Sequence, residues 1–407
     1  MRQPIPSPYP AIREDFPFLK AYPKLAYLDN AATTQKPQVV LDALASYYQA
    51  GNANIHRGIY SLAAKATQAY ETARDKVQTW LGAAHREEII FTKGTTEAIN
   101  MVAFSYLGSR LQAGEEVLIS EMEHHANLIP WQQLCIQKKA KLQVIPMRED
   151  GTLDWALFPS LLTEKTRLLA LAHISNTLGT IHPIEQAIQQ AHAKGIPVLI
   201  DGAQSAAHAV PNLQDLNADF YTFSGHKLYG PTGIGVLYGK KEHLEAMQPY
   251  LYGGDMIRKV SLQETTFAPL PNKLEAGTPH IAGAVGLGAA LDYLQALDKS
   301  AVQTYLAALT QYAREQVGQV EGLTIYGPTQ DTANVFSFGL EGVHPHDLAT
   351  MLDSYEVAIR AGQHCTQPLL EKLGVPATAR VSFGLYNRPE EVDQLVQALR
   401  EIKAFFA

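Results

Sequence analysis

Between positions 81 and 237, short apolar runs alternate with segments whose hydrophobic residues recur at helical spacing, the signature of βαβ units and a mostly parallel sheet. The runs that read as strands are EEIIFT (87–92), EVLIS (116–120), LQVIP (142–146), RLLALAHI (167–174), PVLID (197–201), DFYTFS (219–224) and GIGVLYG (233–239). Several are continuously apolar instead of alternating, as strands covered on both faces are. The sheet is therefore expected at the centre of an α/β fold. From 251 to 279 the pattern breaks into an irregular stretch rich in Gly and Pro, and the Ala-rich segment beyond it, to about Gln319, predicts long helices. Short strands are expected at NVFSFGL (334–340), VAIRAG (357–362) and ARVSFGL (379–385). Pro389 suits the first turn of a closing helix, whose apolar stripe is Val392, Leu395, Val396, Leu399, Ile402 and Phe406. The pattern thus predicts a large α/β domain over 25–290 and a smaller α+β domain over 291–407, joined by the N-terminal segment 1–24.

Composition narrows the class. A chain of 407 residues with 46% apolar and 18% charged positions is long enough for two or three domains at roughly 150 residues each. Its net charge is −7, and no run of Lys/Arg could follow a phosphate backbone, so nucleic-acid binding is set aside. The longest apolar stretches, such as Ile196 to Ile200, fall far short of a membrane span, and the prolines and acids near the N-terminus do not resemble an export signal. A cytoplasmic protein is expected. Its two cysteines, Cys135 and Cys365, exclude a disulfide framework and a four-cysteine metal centre.

In an open α/β sheet, ligands bind beyond the carboxyl ends of the strands. Here polar motifs follow strand after strand: KGTTEAIN, EMEHHAN, ISNTLGT, DGAQS and SGHKLYGP. Gly94, Thr95 and Thr96 stand where a strand gives way to a helix, so their amides and hydroxyls form a cradle for a phosphate; alone, they would read as a Thr N-cap. Asp201 ends an apolar strand, where its carboxylate needs a cationic partner, and Gln204 follows. Lys227 lies one strand onward, in a loop with Ser224, Gly225 and His226. Desolvation there would lower its pKa and ready the neutral amine for a Schiff base. An anion cradle, a buried acid and an imine-forming lysine are what pyridoxal 5′-phosphate requires, with Asp201 keeping the pyridine nitrogen protonated.

His124 could cover the cofactor ring and move protons, although either it or His125 could equally be a helix cap or a satisfied buried histidine. His124, His125 and His364 lack companion ligands at zinc-site spacing, so no metal is expected. Cys135 shares an apolar helical stripe with Leu128, Trp131 and Leu134 and reads as core. Cys365, in the polar segment RAGQHCTQP, reads as a thiol on an exposed loop near Arg360 and His364, surroundings that favour the thiolate; an incidental surface thiol is the plainer alternative. The glycines of GPTGIG open a strand, whereas a dinucleotide fingerprint must follow one, so a Rossmann reading is rejected.

Together these motifs resemble the class-V-aminotransferase-like enzymes of pyridoxal-phosphate fold type I, and within them the SufS/CsdA type of cysteine desulfurase. The likeness runs from YLDNAATTQKP (27–37) through NIHRG (54–58), the polar motifs above and EAGTP (275–279) to RAGQHCTQPL and the Arg380 segment. The short cysteine loop looks like the second subgroup; Gln363, where SufS sequences often have His, leaves SufS and CsdA both open. The resemblance implies that Lys227 carries the cofactor, Asp201 pairs with the pyridine nitrogen, and Asn176 and Gln204 reach the ring hydroxyl. It implies that Thr95, Ser224 and His226 hold the phosphate, that His124 stacks on the ring, and that Asn176 also borders the substrate. Arg380 would grip the substrate carboxylate as a bidentate fork. It further implies a homodimer in which Thr278 contacts the other subunit's phosphate and Arg57 lines the site. The implied reaction turns L-cysteine into L-alanine and leaves a persulfide on Cys365, for a SufE/CsdE-like acceptor serving iron–sulfur cluster assembly; selenocysteine would react too. Transamination or kynurenine cleavage in the same fold, or a sulfur-carrier scaffold without turnover, are the competing readings.

Overall fold

The computed structural model describes residue 5 and residues 7–406. Its central sheet has seven strands: β1 (Ile89–Thr92), β2 (Glu116–Ser120), β3 (Lys141–Ile145), β4 (Thr166–Ala172), β5 (Val198–Asp201), β6 (Phe220–Ser224) and β7 (Gly235–Gly239). Their order is β1-β7-β6-β5-β4-β2-β3. Neighbouring pairs from β6 to β3 are parallel, while β7 runs antiparallel to both β1 and β6. The continuous apolar runs have the expected cause. Leu169, Leu171, Val198 and Ile200 belong to a core on one face, and Leu168, Ala170 and Leu199 to a second core on the other. The first face is covered by helices Ser61–Leu81 and Ile281–Gln295, the second by helix Ile129–Lys138 with Trp131 and Leu134. The first two helices approach closely where Gly288 meets Ala73; a Cβ on Gly288 would lie 3.2 Å from the Ala73 Cβ.

A second sheet, of antiparallel strands, contains β8 (Leu323–Tyr326), β9 (Val335–Leu340), β10 (Arg360–Gly362) and β11 (Thr378–Ser382) in the order β8-β9-β11-β10. The closing helix Pro389–Phe406 buries Val392, Leu395, Val396, Leu399 and Ile402, but Phe406 is exposed, so the apolar stripe ends one turn early. The N-terminal segment docks here: Phe16 is fully buried, and Arg13 donates to Glu391 Oε1 at 2.7 Å and to the Tyr386 carbonyl at 2.9 Å.

Three details differ from the sequence pattern. The stretch 251–279 contains an exposed hairpin, Ile257–Val260 paired with Thr265–Phe267, whose polar, half-solvated strands carry no core periodicity. Strand β8 is an edge strand of four partly exposed residues and gives no clear signal. Helix Ile281–Gln295 runs unbroken through residue 290, where the change of domain was expected. Among the described residues no helix is long and apolar enough to cross a membrane.

Candidate active site

Beyond the carboxyl ends of the parallel strands lies a cavity of about 220 Å³. Thr95, Thr96, His124, Asn176, Asp201, Gln204, Ser224, His226, Lys227, Cys365 and Arg380 all line it, so segments far apart in sequence converge. Thr278 and Arg57 are not brought in. Both are exposed, and Arg57 Nε pairs instead with Asp255 Oδ1 at 2.8 Å.

The residues expected to cradle a phosphate meet where β7 separates β1 from β6. Gly235 pairs with Thr92 on one side and Ser224 on the other, and a Cβ there would come within 2.4 Å of the Gly94 Cα. That close approach is what this glycine serves, and it brings the start of helix Thr95–Met101 against the end of β6. Thr95 is not the helix cap that its sequence position suggested, because Gly94 takes that place without a side-chain bond. The Thr95 amide instead donates to Ser224 Oγ at 2.9 Å, and the two buried hydroxyls lie 2.9 Å apart.

Asp201 ends β5 with its side chain buried; Oδ1 accepts the Ala203 amide at 2.9 Å. Burial raises its pKa, while the Ala203 amide and the charge on Lys227 hold it down. Burial likewise lowers the Lys227 amine to about 8; Asp201 opposes this, and Arg380 and Arg360 push the same way as burial. The turn Gly225–Lys227 is tied down by the N-terminal motif, with the His226 carbonyl accepting from the Thr34 amide at 3.0 Å and from Thr33 Oγ1 at 3.1 Å. Thr34 Oγ1 also accepts the Tyr229 amide at 2.9 Å. Gln204 Nε2 donates to the Ala31 carbonyl at 2.9 Å, linking the same motif to the Asp201 loop.

His124 is both a cap and a cavity wall. Its Nδ1 accepts the Ala126 amide at 3.0 Å, which leaves the proton of the neutral ring on Nε2. Burial, with Lys227 adding, pushes its pKa down to about 3, so the ring stays neutral. The His226 ring is lowered to about 4 by burial, with Lys227 and Lys36 adding to it.

Arg380 is buried. Its Nη1 donates to the Asn176 carbonyl at 2.9 Å and Nη2 to Asp29 Oδ1 at 3.1 Å, while Nε has no hydrogen-bond partner among the described residues. An unpaired buried N–H is costly, so this edge of the guanidinium is open to an acceptor from a ligand. The antiparallel register of β10 and β11 sets Arg360 opposite Arg380, and Arg360 also lines the cavity. Sequence reasoning placed Arg360 only as a charge near the Cys365 thiol and assigned no role to Asp29, Thr33 or Thr34. For Arg360 the available signal was that two arginines face each other if 360–362 and 378–382 pair.

The loop of Cys365 is less open than its polar sequence suggested: Cys365 is half-buried and His364 is buried. Both residues have positive φ, 51° and 57°. Cys135 is core as expected, 3% exposed on helix Ile129–Lys138, and burial pushes its thiol to about 11.

A buried carboxylate, a buried amine with its pKa lowered to about 8 and an amide-and-hydroxyl cradle fit pyridoxal phosphate. We expect reattachment of the cofactor to the apoenzyme to speed up about tenfold per pH unit up to about pH 8 and then level off, as Lys227 loses its proton. Borohydride trapping at timed intervals measures this, and a flat profile from pH 6 to 8 would contradict it.

The family model "Aminotransferase class-V" matches residues 26–395. The chain belongs to that family, whose members work with pyridoxal 5′-phosphate on fold type I. Several of its relatives are named probable cysteine desulfurases. It is 50% identical to a probable cysteine desulfurase of Vibrio cholerae over 394 residues, 96% of this chain and 97% of that protein. It is 49% identical to one from Halalkalibacterium halodurans over 94% of each chain. Among solved structures, the cysteine desulfurase CsdA from Escherichia coli is 43% identical with a TM-score of 0.91, covering 97% of this chain and 98% of that one. The apo cysteine desulfurase of Thermococcus onnurineus superposes with a TM-score of 0.94 at 37% identity, covering 100% and 99%.

Proposed function

We infer that this chain is a cysteine desulfurase of the SufS/CsdA type, converting L-cysteine to L-alanine and leaving the sulfur as a persulfide on Cys365. The observation that carries this reading is the meeting of Cys365, Lys227 and Arg380 around one cavity. Neither transamination nor kynurenine cleavage needs a thiol there.

Lys227, Asp201, Asn176, Gln204, Thr95, Ser224 and His226 would hold the cofactor, with Thr96 at the edge of the cradle and His124 beside the ring. Pyridoxal phosphate, when bound, withdraws electrons from the substrate's Cα and so makes its proton acidic. Arg380, through its free Nε edge, binds the substrate carboxylate and fixes which Cα bond faces Lys227. Lys227 Nζ takes and returns the Cα proton, a task suited to an amine whose pKa lies near 8. His124, neutral with its proton on Nε2, can donate there without bringing a positive charge. Cys365 Sγ, as thiolate, attacks the substrate sulfur. The new S–S bond forms as the Cβ–S bond breaks, and Cβ keeps the electron pair and gains a proton to become the methyl of alanine. Sulfur is oxidised and carbon reduced within one substrate, so no outside oxidant is required.

The reading extends to a homodimer. Ile59, Tyr60, Leu251, Tyr252 and Leu262 are exposed, and the Arg57–Asp255 ion pair ties their two segments together. A second copy covering this surface would bring Thr278 toward its partner's phosphate and Arg57 toward the shared site. The persulfide would pass to a SufE/CsdE-like acceptor for iron–sulfur cluster assembly in the cytoplasm, and selenocysteine would be a further substrate. Incubation with L-cysteine, with alanine and protein-bound persulfide both measured, tests the core of this; pyruvate or an exchanged amino group without persulfide would refute it. Asp201→Ala should retain the cofactor poorly and lose about 10- to 100-fold in kcat, the worth of a charge-assisted hydrogen bond to the ring. Wild-type kinetics in that variant would remove Asp201 from its role.

A further inference from the structure

We propose that His125 is a positioning residue that holds the Cys365 loop in place from the turn that carries His124. This rests on the desulfurase reading above and assigns to that reaction a residue which touches neither substrate nor cofactor.

The loop needs outside support. His364 and Cys365 both adopt left-handed backbone conformations, which L-residues take only at a cost, so the segment does not hold its shape by local preference. Its carbonyls are fixed from two directions. The His364 carbonyl accepts from Asn176 Nδ2 at 2.8 Å, and the Cys365 carbonyl accepts the His125 amide at 2.7 Å. Two residues on, the Gln367 amide donates to His125 Nε2 at 3.2 Å. His125 therefore grips the cysteine loop on both sides of Thr366, once with its backbone and once with its ring. Thr366 is tied separately, its hydroxyl 2.8 Å from Thr177 Oγ1.

Three consequences follow from the chemistry of this grip. The ring must be neutral with its proton on Nδ1, because Nε2 accepts. The grip joins the loop of the nucleophile to the residue next to His124, so the distance between thiol and cofactor face is set by one dipeptide. Removing the ring frees the Gln367 amide and lets the loop spread, which slows attack by Sγ on sulfur while leaving the earlier chemistry at Cα alone.

The test uses full-length holoenzyme with His125→Ala and His125→Gln, since Gln Oε1 can stand where Nε2 accepts. Three quantities are read: exchange of the Cα proton of L-alanine in deuterated water, single-turnover persulfide formation on Cys365, and hydrogen-exchange protection of the Gln367 amide in the resting protein. We expect Cα exchange to stay within twofold in both variants. Persulfide formation should fall about tenfold or more in His125→Ala and recover in His125→Gln. Gln367 protection should follow the same order. Wild-type persulfide rates in His125→Ala, or a His125→Gln variant no better than His125→Ala, would overturn the proposal. If the wild-type protein makes no persulfide from L-cysteine, the desulfurase reading fails; the grip is then judged by Gln367 protection alone, and equal protection in His125→Ala overturns it.

Discussion

Cys365→Ser is expected to bind cofactor and L-cysteine normally yet form alanine at least about a thousandfold more slowly than the wild-type enzyme. Serine keeps the size and hydrogen bonding of the half-buried side chain but stays protonated near neutral pH, so the change removes nucleophilicity with little change in packing. Proton exchange at Cα, assigned above to Lys227, should continue. Selenocysteine should still react to some extent, because selenium leaves more readily than sulfur and depends less on being attacked. The control is Cys135→Ser, which places a hydroxyl in the core and should cost about 1 kcal/mol of stability without altering turnover. Alanine production from L-cysteine by Cys365→Ser at the wild-type rate would mean that sulfur departs without a protein acceptor, and the persulfide route would be wrong.

Lys227→Ala should abolish covalent cofactor attachment altogether. Lys36, half-buried behind the His226 carbonyl and lowered by burial to about 8, does not line the cavity and cannot substitute. After borohydride treatment, intact mass should show the added cofactor on the wild-type chain and none on the variant, and turnover should fall by several orders of magnitude. Cofactor found on another lysine would reassign the attachment point. Because Asp201 loses its cationic neighbour in this variant, its carboxyl should take up a proton more readily, the same direction in which burial already drives it.

The central sheet was legible because its strands are buried on both faces. Leu168 to Leu171 and Val198 to Ile200 are apolar at every position because cores cover both of their faces. What pattern could not carry was direction: β7 is apolar like the parallel strands of the sheet, and only the link of residues 225–234 before it, too short for an α-helical crossover, betrays its reversal. Strand β8 and the hairpin at 257–267 were hidden because their side chains are largely solvated. In the site, residues beside a strand end were legible, since position alone gives them a reason to be polar. Asp201, Ser224 and Lys227 are of this kind. Asp29 and Thr34 lay inside a motif with no strand of the central sheet to point at them, and their roles depend on partners more than 190 positions away. Cys365 was placed on an exposed loop because polar composition says nothing of carbonyls that will be bonded from His125 and Asn176.

The ion pair between Asp29 and Arg380 spans 351 positions of the chain. A ribosome takes on the order of tens of seconds to travel that distance. Asp201 and Lys227 are made well before β10, the Cys365 loop and β11, which are among the last parts of the chain to be synthesised. On the roles proposed above, most residues that would hold the cofactor are therefore made before those that would bind the substrate and take up its sulfur. On the same proposal, a product truncated before Arg380 would lack the guanidinium assigned to the substrate carboxylate, so sulfur release would await a chain that extends beyond it.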